Sequence, residues 1–113
     1  LFFLFSYTQK DFIYFIYIIP SHKSDIYYIG YSTDPNRRLE EHNSSPFPTF
    51  TSKHRPWSLV AVFSAGDSRG IAMKLEKEMK KIKNVTILKS IIYDNIPLDG
   101  SLAQLVRVPI LRD

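Results

Sequence analysis

Apolar residues crowd into three short stretches of this chain and recur at helical spacing in two others. Ile13 to Ile19 is β-branched and aromatic throughout and stops at Pro20, which marks a strand. Its alternating sets, Ile13, Phe15, Tyr17 and Ile19 against Tyr14, Ile16 and Ile18, are both apolar, so cover on both faces is expected. After the polar loop SHKSD, Ile26 to Tyr31 reads as a second strand closing an antiparallel hairpin. Gly30 near its end leaves room for a backbone or a ligand to come close. Asp34 before Pro35 is a strong helix start, a carboxylate N-cap followed by proline at the first helical position. The short helix NRRLEEH has Leu39 as its core anchor and Asn43 as a left-handed C-cap. Arg38 and His42, four apart, share one face of it.

Ser44 to Pro56 contains three prolines and reads as an ordered loop with room for one helical turn. Trp57 to Phe63 is a third strand, apolar on both faces and so expected inside the sheet. Asp67 or Ser68 caps a main helix over about Arg69 to Lys83, with Ile71, Leu75, Met79 and Ile82 on its apolar stripe. This helix is also the most basic element. Val85 to Ile92 fits a strand or a helix. Beyond it Pro97, Gly100 and Pro109 interrupt any pattern, and SLAQLVR looks like a peptide read through a transfer-RNA gene. The expected organisation is a poorly anchored extension over 1–11, one domain over 12–94 and an irregular tail over 95–113. The fold class is α/β (α+β), a small three-stranded, mainly antiparallel sheet flanked by helices.

A chain of 113 residues closes a single core, and 44% hydrophobic residues with eight Phe and seven Tyr suffice for one. The absence of cysteine excludes a disulfide framework and a thiolate metal site, and fits a reducing, cytoplasmic setting. A net charge of +4 and a pI of about 9.4 suit a polyanionic partner. The opening LFFLF is too short to span a membrane and lacks the layout of a signal peptide, so no membrane partner is expected.

Tyr28-Ile29-Gly30, preceded by Phe15-Ile16-Tyr17, resembles the two signature tripeptides of the GIY-YIG nucleases. TDPNRRLEEHN is similar to the family's arginine helix, TSKHRPWSLV to the loop and third strand of its small single-domain members, and AMKLEKEMKKIK to the helix bearing its glutamate. The likeness covers about residues 12 to 84 in the family's order. The first tripeptide's glycine position holds Phe15, and the family's later asparagine has only Asn84 nearby. The resemblance implies a monomeric endonuclease hydrolysing phosphodiester bonds of DNA, in repair or recombination, with one divalent cation, Mg or Mn. It implies Tyr17 as general base, Tyr28 as the group orienting water or phosphate, Arg38 as the stabiliser of developing charge, His42 beside the phosphate and Glu76 as the metal ligand. Arg37, Lys53, Arg55 and Lys80 would bind nucleic acid.

These residue types suit the chemistry. The arginine fork grips two phosphate oxygens and stays protonated. A hard cation that keeps several waters needs only one carboxylate. Tyrosine, with an unperturbed pKa of ~10, serves as a base only if a nearby cation or arginine lowers that value, or if a metal-bound hydroxide takes its proton. Each residue also has a plainer role: the tyrosines as core, His42 at the helix dipole, Arg37 paired with Glu41 and Glu76 with Lys80. The competing function is a binding module without turnover, in which the basic helix and Lys53, His54, Arg55 and Trp57 supply phosphate contacts and stacking.

Overall fold

The computed structural model describes residues 12–110. The extension expected over 1–11 lies outside them. Strand β1, Phe15–Pro20, pairs antiparallel with β2, Tyr27–Ser32, as the hairpin reading requires, with Tyr17 opposite Gly30. On its other side β1 pairs antiparallel with β3, Ala61–Ser64, which places Tyr17 opposite Val62. The third strand begins later than expected because Trp57 makes only an isolated bridge to Ser21.

The sheet has four strands, not the three expected, in the order β2-β1-β3-β4. Strand β4, Val106–Val108, comes from the stretch read as an irregular tail. It pairs with β3 through Val62 and Val108, while Leu105 just before it is buried. Its middle residue is polar, and Arg107 donates to the carbonyls of Val60, Ile91 and Ile92 and lies 5.3 Å from the Phe63 ring centre. In this three-residue strand the arginine turns inward and Val106 is left exposed, the reverse of the usual apolar-in alternation, so its pattern was unreadable.

Both faces of β1 are covered. On one, Ile16, Ile18, Ala61 and Phe63 pack against Ala72, Leu75 and Met79 of helix α2, Arg69–Lys80, and against Leu88, Ile91 and Ile92 of helix α3, Val85–Tyr93. The helical alternative therefore holds for Val85 to Ile92, and Asn84 caps it by accepting from the amides of Thr86 and Ile87. Ser68, not Asp67, caps α2, and Ile71 is exposed while Ala72 takes the buried position. On the other face Tyr17, Ile19, Trp57 and Val62 meet Leu39 of helix α1, Pro35–Ser44. Asp34 caps α1 as expected. Asn43 does not end it in a left-handed turn: the cap is Ser45 in extended backbone. The Asn43 amide instead donates to the carbonyl of Trp57 and accepts from its N–H, tying α1 to the third strand's approach. Among the described residues no helix is long and apolar enough to cross a membrane.

Candidate active site

The second signature glycine is explained by contact, not by backbone freedom. A methyl group on Gly30 would lie 2.5 Å from the hydroxyl oxygen of Tyr17 and 2.6 Å from its Cζ. Two adjacent strands thus place a phenol flat across a bare backbone, and the ring is 1% exposed. Its hydroxyl emerges toward α1, where its oxygen is 2.8 Å from Nε2 of His42.

His42 is buried in the last turn of α1, and its Nδ1 is 3.0 Å from Oγ1 of buried Thr51. Burial, reinforced by the Arg38 charge, brings the His42 pKa down to about 4, so its ring is neutral at neutral pH. Arg38, one turn earlier, reaches Glu41. Burial opposes the charge on Arg38, yet Glu41 and Tyr17 outweigh it and keep the guanidinium protonated.

The expected lowering of Tyr17 is not found. Burial pushes its pKa up to about 12, and the neighbouring Arg38 offsets that only in part. The reason is the same packing against Gly30 that positions the ring: a phenolate there would be poorly hydrated.

Tyr28 stands beside this pair, its ring centre 6.5 Å from that of Tyr17 and 4.9 Å edge-on from that of His42. Lys80 of α2 reaches over it, Nζ lying 5.8 Å from the ring centre and 3.5 Å from Oε1 of Glu76. The Glu76 side chain is largely shielded, at 17% exposure, and its charge reaches Tyr17. Tyr17, Tyr28, Arg38, His42, Glu76 and Lys80 therefore converge from β1, β2, α1 and α2. Tyr28, Arg38 and His42 line an open depression of about 320 Å³ together with Thr51 and Phe50.

The remaining basic candidates lie further out. Arg37 is exposed and 3.9 Å from Glu41, and Lys53 is exposed on a 3-10 turn, Thr51–His54. Arg55 is turned inward: its Nε donates to the carbonyl of His42 at 2.6 Å and its Nη2 to that of Ser45 at 2.7 Å. It clamps the loop onto the end of α1. The sequence offered no mark for Thr51, one hydroxyl among many in a turn-rich loop, nor for Phe50 beside it.

Among the described residues no three metal-ligating side chains form a ready-made cage. The shielded carboxylate of Glu76, whose charge reaches Tyr17, is nevertheless a fitting ligand for a hard divalent ion that shares its shell with water and phosphate.

The GIY-YIG catalytic domain matches residues 13–86. The chain belongs to the GIY-YIG family. A UPF0213 protein of Halalkalibacterium halodurans is 34% identical over 86 residues, covering 72% of this chain and 89% of that protein. A UPF0213 protein of Fusobacterium nucleatum is 37% identical over 68 residues, 60% of this chain and 66% of the relative. The structure-specific endonuclease subunit SLX1 of Meyerozyma guilliermondii is 35% identical over 75 residues, 62% of this chain. The match spans only a quarter of that longer relative. The GIY-YIG match takes in β1, β2, α1, β3 and α2 and ends at the start of α3, so every converging side chain lies within it.

Proposed function

We propose that this chain is an endonuclease that hydrolyses a phosphodiester bond in DNA with the help of one divalent cation. The observation that carries this reading is the contact of the Tyr17 hydroxyl with neutral His42, beside a protonated Arg38. The family supplies the class of activity, and a relative named as a structure-specific endonuclease supports it.

With a pKa of about 12, Tyr17 does not act as a standing phenolate. It passes a proton on. As the attacking water loses its proton to the Tyr17 oxygen, the phenol's own proton moves to Nε2 of His42; the new O–P bond forms while the ester O–P bond breaks, and the departing alkoxide takes a proton from solvent in the open depression. Nδ1 of His42 lies 3.0 Å from Oγ1 of Thr51, and the relay uses the tautomer in which Nδ1–H donates there and Nε2 accepts. An imidazolium beside Arg38 is disfavoured in the free protein. The negative phosphodiester between them offsets that repulsion, so the relay becomes competent when substrate binds.

Arg38 faces the charge that develops on the equatorial oxygens, where a fixed guanidinium is most effective. Tyr28 orients the phosphate, and Lys80 neutralises it from the other side. Glu76 would hold the cation, which polarises the phosphoryl oxygens when bound. Arg37 and Lys53 steer and hold the flanking backbone.

Incubation of the purified protein with plasmid and branched DNA in Mn²⁺, then in EDTA, tests the proposal. Nicking that EDTA stops, and that Arg38→Ala and Glu76→Ala abolish with binding largely kept, is the expected result. Binding with no nicking in Mg²⁺ or Mn²⁺ overturns it in favour of a binding module that has lost turnover.

A further inference from the structure

Phe47 and Phe50 are exposed on the loop that closes over α1, at 71% and 55% respectively. Apolar surface left in water forgoes the gain of burial, so a held, half-bare ring beside a reactive site suits an occupant. Phe50 is held. It precedes the 3-10 turn, its carbonyl accepts from the amide of Lys53, and next to it Thr51 is fixed by His42 and by the indole N–H of Trp57. Its ring lies roughly parallel to Tyr28, 6.5 Å between centres and 30° between planes, with His54 4.9 Å away. The same ring lines the depression that Arg38 and His42 line.

We infer that Phe50 is a stacking platform for an unpaired nucleobase adjoining the scissile phosphate. The inference rests on the nuclease reading above and adds a substrate class to it: DNA in which the nucleotide next to the cut is out of the helical stack. The chemistry follows from position. A phosphate lying against Arg38 and Tyr28 brings its own nucleoside to the neighbouring wall, and that wall is an aromatic face. Bases inside a duplex already cover both faces with their neighbours, so only a splayed or single-stranded base presents a face to Phe50. Stacking of this kind reads no sequence, because every base has a π-face. The lysines on either side, Lys53 on the loop and Lys80 over Tyr28, suit the backbone that flanks such a base.

The test uses 2-aminopurine at each of the first three unpaired positions of a flap, and in a fully paired control, with EDTA present so that nothing is cut. Binding of the wild-type protein is expected to quench the fluorescence at one flap position and not in the duplex. Phe50→Ala is expected to lose the quench and weaken flap binding roughly tenfold, with duplex binding unchanged. Phe50→Tyr is expected to keep the quench, and Phe50→Leu to lose it while keeping the loop packed, which separates a π-face from a merely apolar filler. Absence of quenching at all three positions overturns the inference, as does quenching that survives in Phe50→Leu. Cleavage by the wild type in Mn²⁺ is scored separately: a protein that quenches but does not cut sinks the nuclease reading alone, and one that cuts without Phe50-dependent quenching sinks only the stacking platform.

Discussion

The hydroxyl of Tyr17 and Nε2 of His42 are 2.8 Å apart, and they join the central strand pair to the arginine helix. Both partners are buried, so the bond has no competing water and sets the geometry of each. Either ring nitrogen of His42 has a hydroxyl partner, and a neutral imidazole satisfies both with a single proton.

Stability is expected to fall on acidification through His42. Its folded pKa of about 4 lies below the ordinary 6.5, so the unfolded chain takes up a proton that the folded one resists. The contribution is full above pH 6.5 and is lost as pH falls toward about 4, to the extent of at most about 3 kcal/mol. Thermal melts of wild type and His42→Gln between about pH 7 and 4 check this. The variant is expected to be less stable at neutral pH and to lose less on acidification, and parallel pH curves for the two proteins would refute the assignment. Because His42 is already neutral in the free protein above about pH 5, kcat/KM for nicking should show no His42 inflection between about pH 5 and 8, whereas kcat reports the pKa that His42 has with substrate bound.

Gly30→Ala places a carbon 2.5 Å from the Tyr17 oxygen, against a ring with nowhere to go. The ring must tilt and draw its hydroxyl off His42. Overpacking of this kind costs about 1–3 kcal/mol, and the nicking rate is expected to drop more than tenfold. Unchanged melting temperature and rate in Gly30→Ala would show that the signature glycine has another purpose.

How much of this was legible in the chain follows from what each element displays. The two strands of the hairpin, the capped arginine helix and α2 were readable because period, caps and apolar stripe agree locally; by resemblance the tripeptides supplied Tyr17 and Tyr28, and the basic helix supplied Glu76. Two things were not readable. The pKa of Tyr17 depends on its packing across Gly30, a relationship between strands that spacing alone cannot weigh against a nearby arginine. Strand β4 is too short for a period, and its Arg107 looks like a surface charge until its carbonyl partners are seen.

That strand makes a truncation informative. Ending the chain after Asp94 removes Leu105 from the core, strips β3 of its outer neighbour and deletes the arginine that holds the carbonyls of Val60, Ile91 and Ile92. Loss of a buried leucine alone costs about 2–5 kcal/mol, enough to threaten a domain this small. The 1–94 protein is expected to be insoluble or molten by near-ultraviolet circular dichroism. Arg107→Ala, a milder change, is expected to fold with a melting temperature several degrees lower. A cooperative melt of the 1–94 protein matching wild type would show the C-terminal strand to be dispensable.

Arg55 gives the sharpest separation of an internal role from a nucleic-acid contact. Its guanidinium already donates to the carbonyls of His42 and Ser45, at the point where the loop bearing Thr51 folds back over α1. Arg55→Lys keeps the charge but not the fork, so it cannot make both bonds at once. If the clamp is what matters, Arg55→Lys lowers the melting temperature and the nicking rate together, because Thr51 and His42 lose their register, while the salt dependence of DNA binding stays as in wild type. If Arg55 instead touches a phosphate, Arg55→Ala lowers the slope of log affinity against log salt by about 1, with stability untouched. Lys53→Ala serves as the comparison within the same loop. Its exposed ammonium donates nothing to the carbonyls of α1, so the reduced salt slope with an unchanged melt is expected there.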